Sequence, residues 1–402
     1  MLLVKYSEPL LKSREVRLRL ERMLLERIKA ALSEGEAGGG EHGDERRDAS
    51  RKAAGEGARE KTAFGSVRIE KEGGVLRIAC EKEEEAARRL QRVFGLASIA
   101  VCEEVPADLK AMAEAGVRAA EEWRGRGGLG KEAAVRAAGE RRSSFAVRAK
   151  RTGEHAFTSE DVGRVVGKAI VDATGLRVDL EKPDNELFVE VRGERAFVAK
   201  KLFDGAKGLP LGSQGSMVAL LKGSASALAA WMLMRRGCAV IALHARESEE
   251  SERKAVEAAK ALRAWHIGRK MTMLVAEAPS LGGLGAGEKK VAFNRFLARV
   301  ASEIAGKKRA SGIISGERVK LDDNALKAIA SANNASALPV HRPLLFLEDE
   351  VEEIAGKAGL EVAREPGRIP PFDEEAVLAW EERINAEKAA KEAAAGAMEV
   401  LP

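Results

Sequence analysis

Residues 217–244 read MVALLKGSASALAAWMLMRRGCAVIALH, and their pattern decides the fold of the larger part of the chain. Met217 to Leu221 is a short apolar run, Lys222 to Ala227 a loop with one glycine, Leu228 to Arg236 a helix, and Cys238 to His244 a second apolar run. Short apolar runs bounded by turn residues are buried strands, and two strands joined through a helix lie parallel. The pattern continues with an amphipathic helix over Glu250 to Trp265 and a strand over Met271 to Ala276. Such alternation predicts a doubly wound parallel sheet, whose ligands sit outside the C-terminal ends of the strands.

Upstream the pattern differs. Leu2 to Tyr6 reads as a strand, followed by a helix that Ser13 caps and whose Val16, Leu20, Met23, Leu24 and Ile28 follow helical spacing. Residues 34–63 carry almost no large apolar side chain and are expected to be a disordered insertion. Alternating Val67, Ile69, Val75, Leu76 and Ile78, a helix reaching Val93, and a strand through Ile99, Val101 and Glu103 then suggest a ferredoxin-like unit. A helix over Ala107 to Trp123 leads through a Gly- and Arg-rich connector to a strand over Ser144 to Lys150. The next helix has the fullest set of signals: Thr158 or Ser159 as cap, a stripe at Val162, Val165, Val166, Ala169, Ile170 and Ala173, and Gly175 as stop. Strands over Leu187 to Val191 and Ala196 to Ala199 follow a turn at Pro183, Asp184 and Asn185. Beyond Pro370 the chain is charged and Ala-rich, a helical tail either packed or solvated, with Val377, Leu378 and Ile384 as its anchors.

A chain of 402 residues fits two to four domains. No run approaches the roughly 18 apolar residues that span a bilayer, and the N-terminal residues lack the features of a secretory signal, so the cytoplasm is the expected location with no membrane partner. Three cysteines, Cys80, Cys102 and Cys238, make neither a disulfide framework nor zinc half-sites, and the five histidines show no metalloprotease spacing; no bound zinc or other metal site is expected from them. The net charge of +5 arises from 68 basic and 63 acidic residues, so only local clustering points to nucleic acid. With aromatics at 4%, stacking of unpaired bases is not the expected mode; shape and phosphate contacts are.

One cluster stands out. Arg141, Arg142, Arg148, Lys150 and Arg151 place five cations and no acid within eleven residues, either a phosphate-binding edge or a solvated patch. Lys200, Lys201 and Lys207 form a second group that matters only if folding joins it to the first. Gly282-Gly-Leu-Gly-Ala-Gly287 fails the dinucleotide spacing and reads as a flexible loop. On the helix that follows it, Arg295 or Arg299 could meet a phosphate or make surface salt bridges.

The stretch from Phe145 to Phe157, then Gly167, Val178 to Asp184 and Leu187 to Val191 resembles a THUMP domain. Gly208-Leu-Pro-Leu-Gly-Ser-Gln-Gly215 is similar to the segment joining THUMP to a PP-loop domain in the tRNA 4-thiouridine synthetase, or tRNA sulfurtransferase, family. Tyr6 to Ser13, Arg92 to Ser98, Ser315-Gly-Glu317 and Arg342-Pro-Leu344 resemble further pieces of that family, so the resemblance covers residues 1 to about 365 apart from the insertion. It implies an N-terminal ferredoxin-like domain at 1–105, a THUMP RNA-binding domain at 106–215, a Rossmann-like PP-loop domain at 216–366 and the tail at 367–402, an α/β and α+β architecture. It also implies tRNA as partner, recognised at its acceptor end, with ATP and Mg as cofactors, and suggests a homodimer. Arg148, Lys150, Arg151, Lys200 and Lys201 become the candidate RNA contacts.

The phosphate loop departs from the family pattern. Active members have Ser-Gly-Gly-x-Asp-Ser, whose backbone amides cradle phosphate at a helix N-terminus. Here the same place reads Lys222-Gly-Ser-Ala-Ser-Ala227: Gly223 survives, Ser226 stands at the acidic position and Ala227 at the terminal serine. Lys222, Gly223, Ser224, Ser226, Gly316 and Glu317 are the candidate ATP or phosphate residues. Cys238 is the single cysteine in this domain and so the candidate catalytic thiol, against the alternative of a buried core thiol. The tail is short and has no cysteine, so no rhodanese-like sulfur carrier is expected there, and either Cys238 or a sulfur-donor protein would deliver the sulfur. Three functions remain open: a tRNA-binding relative with adenylation lost or altered, an active ATP-dependent sulfurtransferase making 4-thiouridine, and a non-enzymatic scaffold presenting tRNA.

Overall fold

The computed structural model describes residues 1–7, 13–33, 60–72, 74–126, 143–347, 349–363 and 366–400. Most of the expected insertion (34–59), the Gly- and Arg-rich connector (127–142) and with it Arg141 and Arg142 lie outside the described residues. The chain forms two compact units. The first comprises Met1–Tyr6, Leu32–Gln91 and Leu96–Gly205, the second Ser7–Ala31, Arg92–Gly95 and Ala206–Pro402.

The first unit is built on one nine-stranded sheet. Its strands are β1 (Leu2–Tyr6), β2 (Glu60–Thr62), β3 (Gly65–Glu72), β4 (Val75–Ala79), β5 (Leu96–Pro106), β6 (Ser144–Thr152), β7 (Arg177–Val178), β8 (Asn185–Arg192) and β9 (Arg195–Asp204), in the order β2-β3-β4-β1-β5-β9-β8-β6-β7. Within it β3-β4-β1-β5 is the strand order of a ferredoxin-like unit, all antiparallel. The last residues of the expected insertion are ordered as β2, which pairs with β3. Helix α1 (Arg14–Ser33) belongs, through Ala31, to the second unit, where the Arg27 guanidinium donates to the carbonyl of Gly268. Helix α2 (Glu83–Leu90) stays with the sheet and buries Ala86, Ala87 and Leu90.

The ferredoxin-like strands do not close off a separate sheet. β5 pairs antiparallel with β9 from Ser98↔Asp204 to Pro106↔Arg195, with a register shift between Val101 and Cys102, so the strands of the THUMP segment continue the same sheet. β6 runs parallel to β8 from Phe145↔Asn185 to Thr152↔Arg192. Helices α3 (Leu109–Arg126) and α4 (Ser159–Thr174) cover one face, against Phe145, Leu187, Val189, Val191, Ala196 and Val198. Of the two cap residues offered by the sequence, Thr158 takes the role, in a reciprocal box with Asp161; Val162, Val166 and Ile170 of the stripe are buried while Ala173 is exposed, and Gly175 ends the helix at φ 71°.

The second unit has a six-stranded sheet of β10 (Ser216–Leu220), β11 (Ala239–Arg246), β12 (Thr272–Glu277), β13 (Ile313–Ser315), β14 (Val340–His341) and β15 (Met398–Val400), ordered β14-β13-β10-β11-β12-β15. All pairs are parallel except β12 with β15. Helices α5 (Ser224–Arg235), α6 (Glu249–Arg263), α7 (Ala286–Lys308), α8 (Asp323–Asn334), α9 (Glu350–Ala358), α10 (Glu374–Ile384) and α11 (Ala386–Gly396) surround it. One face packs Leu221, Leu228, Trp231, Val240, Leu262 and Met273, the other Val218, Leu243, Phe296, Leu297, Val300 and Ile304. The period-two alternation of β10 and β11 supplies both cores, as expected of a doubly wound sheet. The tail is packed rather than solvated: Val377 and Trp380 are buried against Val291 and Ala292 of α7, and β15 adds an antiparallel edge. Among the described residues no helix is long and apolar enough to cross a membrane.

Candidate functional site

From β10 the chain moves to β11 and β12, then returns to β13 on the other side of β10. That reversal opens a crevice at the C-terminal ends of β10 and β13, the place where open α/β sheets bind ligands. A cleft of about 420 Å³ lies there, lined by the Lys222 to Ser226 loop, by Ser315 to Val319 after β13, and by Lys290, Asn294 and Arg342. Sequence reasoning thus brought Lys222, Gly223, Ser224, Ser226, Gly316 and Glu317 to one cleft; it did not assign Lys290, Asn294 and Arg342 their places beside them. Lys290 and Asn294 stand four residues apart on α7, a spacing that puts both on one helical face.

The loop is closed by its own serine. Ser226 Oγ accepts from the backbone N–H of Lys222 at 2.8 Å and of Gly223 at 3.1 Å, and donates to the Gly223 carbonyl at 2.6 Å. Gly223, at the N-cap of α5, has φ 153°, a conformation open to glycine and to few other residues. Gly316 comes so close that an added Cβ would lie 2.1 Å from Ser226 Cα and 2.4 Å from its nitrogen. Behind the loop, the buried His244 bonds through Nδ1 to the carbonyl of Leu221 at 2.9 Å, and burial lowers its pKa, which keeps the ring neutral.

A chain of hydrogen bonds crosses the cleft. Lys222 Nζ donates to Asn294 Oδ1 at 2.7 Å, Asn294 Nδ2 to Glu317 Oε1 at 3.3 Å, Arg342 Nε to Glu317 Oε2 at 2.8 Å and Arg342 Nη1 to Asn333 Oδ1 at 2.8 Å. Glu317 therefore orients Asn294 and Arg342, and its charge is met by the guanidinium. Lys222 also lies over the Phe293 ring, 4.7 Å from its centroid. Its side chain is exposed to the open cleft, yet its ammonium is crowded by protein, and lost hydration lowers its pKa; Glu317 and Glu247 oppose the fall and Lys290 adds to it.

Cys238 is elsewhere. It precedes β11, at the N-terminal end of a strand parallel to β10, whereas the loop follows the C-terminal end of β10. A five-residue strand separates the two by roughly 16 Å. The thiol is buried, and burial raises its pKa, so it is not a thiolate at neutral pH. Burial likewise pushes Cys80 up to about 11 and Cys102 to about 12. The geometry thus favours the core-thiol alternative over a catalytic Cys238. Arg295 and Arg299 do not reach the cleft either: both bond Glu381, Arg295 from a buried position.

In the first unit, β6 places Arg148 and Lys150 on the sheet face away from α3 and α4, and the half-buried Arg151 on the other. Arg148 is engaged with Glu186 at 2.8 Å and with the Leu180 carbonyl at 2.9 Å, and Arg151 with the Gly153 carbonyl at 3.3 Å. Lys150 is exposed, with no charged partner among the described residues. Lys200 pairs with Glu122 of α3 at 3.1 Å and Lys201 with Glu84 of α2 at 2.7 Å, so the two basic groups do not merge. On the same open face Glu190 is buried and binds Lys5 and Arg192; burial alone would raise its pKa, but the two cations hold it below the usual value.

The first unit exposes Lys150 on its sheet, and the second is a Rossmann-like unit whose cleft lies at the C-terminal ends of its parallel strands, beside a glycine-bearing loop. The model of the THUMP domain matches residues 131–199, and that described as thiamine biosynthesis protein (ThiI) matches residues 212–368. A tRNA sulfurtransferase from Pyrobaculum aerophilum is 35% identical over 305 residues, 73% of this chain and 59% of that protein. A protein of Caldanaerobacter subterraneus subsp. tengcongensis named a probable tRNA sulfurtransferase is 31% identical over 312 residues, 74% of this chain and 77% of its own length. The crystal structure of a 4-thiouridine synthetase–RNA complex with bound ATP shares the fold, with a TM-score of 0.72 at 19% identity over 99% of this chain and 98% of that one. The chain belongs to the tRNA sulfurtransferase family, a family of tRNA thiolation enzymes. It spans under two thirds of the length of the first relative it matches.

Proposed function

We propose that this chain binds tRNA through its THUMP-bearing unit and a nucleotide in the cleft of the other, and that its adenylation step is lost or altered. The observation that carries this reading is the loop at Lys222 to Ala227. Where the family has a carboxylate facing the reacting phosphates, Ser226 turns its hydroxyl inward onto the loop backbone. The cleft remains open, faces an α5 N-terminus and is flanked by lysines, which suits phosphate binding. Within this unit the thiol, Cys238, lies at the opposite end of the sheet from the cleft, so sulfur transfer would draw on a thiol from outside the unit.

The test is ATP binding and pyrophosphate release by the purified protein, with and without tRNA, beside Lys222→Ala. Tight tRNA binding without pyrophosphate release is the expected result. Release that requires tRNA and disappears in the variant would make the chain an active PP-loop enzyme with an unorthodox loop and overturn the proposal.

A further inference from the structure

Polyphosphate chains bound at such clefts are normally neutralised by a divalent cation that bridges their oxygens, held in near-octahedral geometry by carboxylates, hydroxyls and water. The residues here do not fit that role. Ser226 Oγ already takes part in three hydrogen bonds inside the loop. Glu317, the acidic side chain lining the cleft, has each oxygen engaged and is neutralised by Arg342. Among the described residues no group of three or more His, Cys, Asp or Glu side chains is arranged to hold a metal ion.

Two ammonium groups are present instead. Lys222 Nζ is held by Asn294, and Lys290 lies one turn before Asn294 on α7, so the two lysines are neighbours on one wall. Both have neutral partners: Lys222 the amide oxygen of Asn294 and the Phe293 ring, Lys290 the carbonyl of Arg368 at 2.9 Å. Neither has a carboxylate within ion-pair distance among the described residues. Two like charges side by side repel, Glu317 and Glu247 act on Lys222 only from beyond ion-pair distance, and an anion placed between the lysines relieves the repulsion.

We propose that Lys222 and Lys290 take the place of the divalent cation, so that the cleft binds the phosphate chain of a nucleotide without a metal. This rests on the nucleotide reading given above and adds to it how the charge is met. Asn294 is the positioning residue, because it fixes the Lys222 ammonium and orients it by the second bond to Glu317.

The test is calorimetric titration of ATP into the full chain in excess EDTA and in excess magnesium, with Lys222→Ala, Lys290→Ala and Lys222→Arg alongside. The expected result is the same affinity in both buffers, a loss of about tenfold in each alanine variant, the size of one charge-assisted contact, and retention in Lys222→Arg. Binding that requires magnesium, or alanine variants that bind as the parent does, would overturn this proposal while leaving the nucleotide reading intact. Binding in neither buffer, with tRNA affinity retained, would remove the nucleotide reading and this proposal together.

Discussion

Arg295 and Glu381 stand 86 residues apart in sequence and meet through two parallel hydrogen bonds, Nε to Oε1 at 2.9 Å and Nη2 to Oε2 at 2.7 Å. The pair joins α7 to α10, with 5% and 7% of the side-chain surfaces exposed. Arg295 Nη1 also donates to the carbonyl and hydroxyl of Ser331, and Arg299 adds a third cation-borne bond to Glu381. Removing one partner leaves a buried charge unmet, so Glu381→Ala is expected to destabilise the second unit by about 3–5 kcal/mol. Urea unfolding of the variant beside Arg295→Met/Glu381→Leu checks this: the double variant should recover most of the loss, and equal losses in both would show that packing, not charge, was removed.

His266 gives a pH prediction. It is buried, accepts from the N–H of Val240 through Nε2 and bonds the Arg269 carbonyl through Nδ1; burial lowers its pKa to about 4. The folded protein holds this ring neutral while the unfolded chain protonates it near pH 6.5, so its contribution is complete above about pH 6.5 and is lost as the pH falls towards 4. The loss across that window is about 3 kcal/mol. Denaturant unfolding between those pH values should show a shallower slope in His266→Asn than in the parent, and parallel slopes would refute the assignment.

Gly316→Ala should abolish ligand binding in the cleft while leaving tRNA binding unchanged. The added methyl meets backbone atoms of Ser226, not the end of a flexible side chain, so the loop must shift. Titration of ATP and tRNA into the same preparation separates the two effects, and unchanged ATP affinity would mean that the loop moves freely.

In the basic group of β6, Lys150 is the side chain whose charge has no partner among the described residues, while Arg148 is tied to Glu186 and Leu180. Lys150→Ala is expected to lower tRNA affinity and to reduce the salt slope by roughly 0.7 to 0.9, the value of one phosphate contact. Arg148→Ala should change that slope less. Slopes measured by filter binding across a salt series that match the parent in both variants would remove β6 from the RNA surface.

What the sequence disclosed followed the range of the forces involved. Thr158 and Gly175 announced α4 because caps act within one helical turn, and the alternating strands and helices from Met217 onward announced the parallel sheet. That Lys222 to Ser226 and Ser315 to Glu317 line one cleft follows from loops at neighbouring strand ends, whose signatures are local. The bonds of Asn294 to Lys222 and Glu317, 72 and 23 residues away, leave no local mark. The same holds for the partner of Arg295, for β15 on β12, and for α1 packing with the second unit. The two readings of Cys238 stayed open for a related reason: composition singled it out as the domain's cysteine, and only strand direction places it at the far end of the sheet.

The nine paired positions of β5 and β9 bear on how the molecule can be dissected. A cut near residue 105, natural for anyone isolating the RNA-binding half, would strip β9 of its neighbour and bare a row of backbone donors and acceptors flanked by Phe197, Val198 and Ala199. Such an edge recruits other strands, so the fragment would self-associate or precipitate, whereas keeping Met1–Tyr6, Leu32–Gln91 and Leu96–Gly205 together retains the border strands β2 and β7.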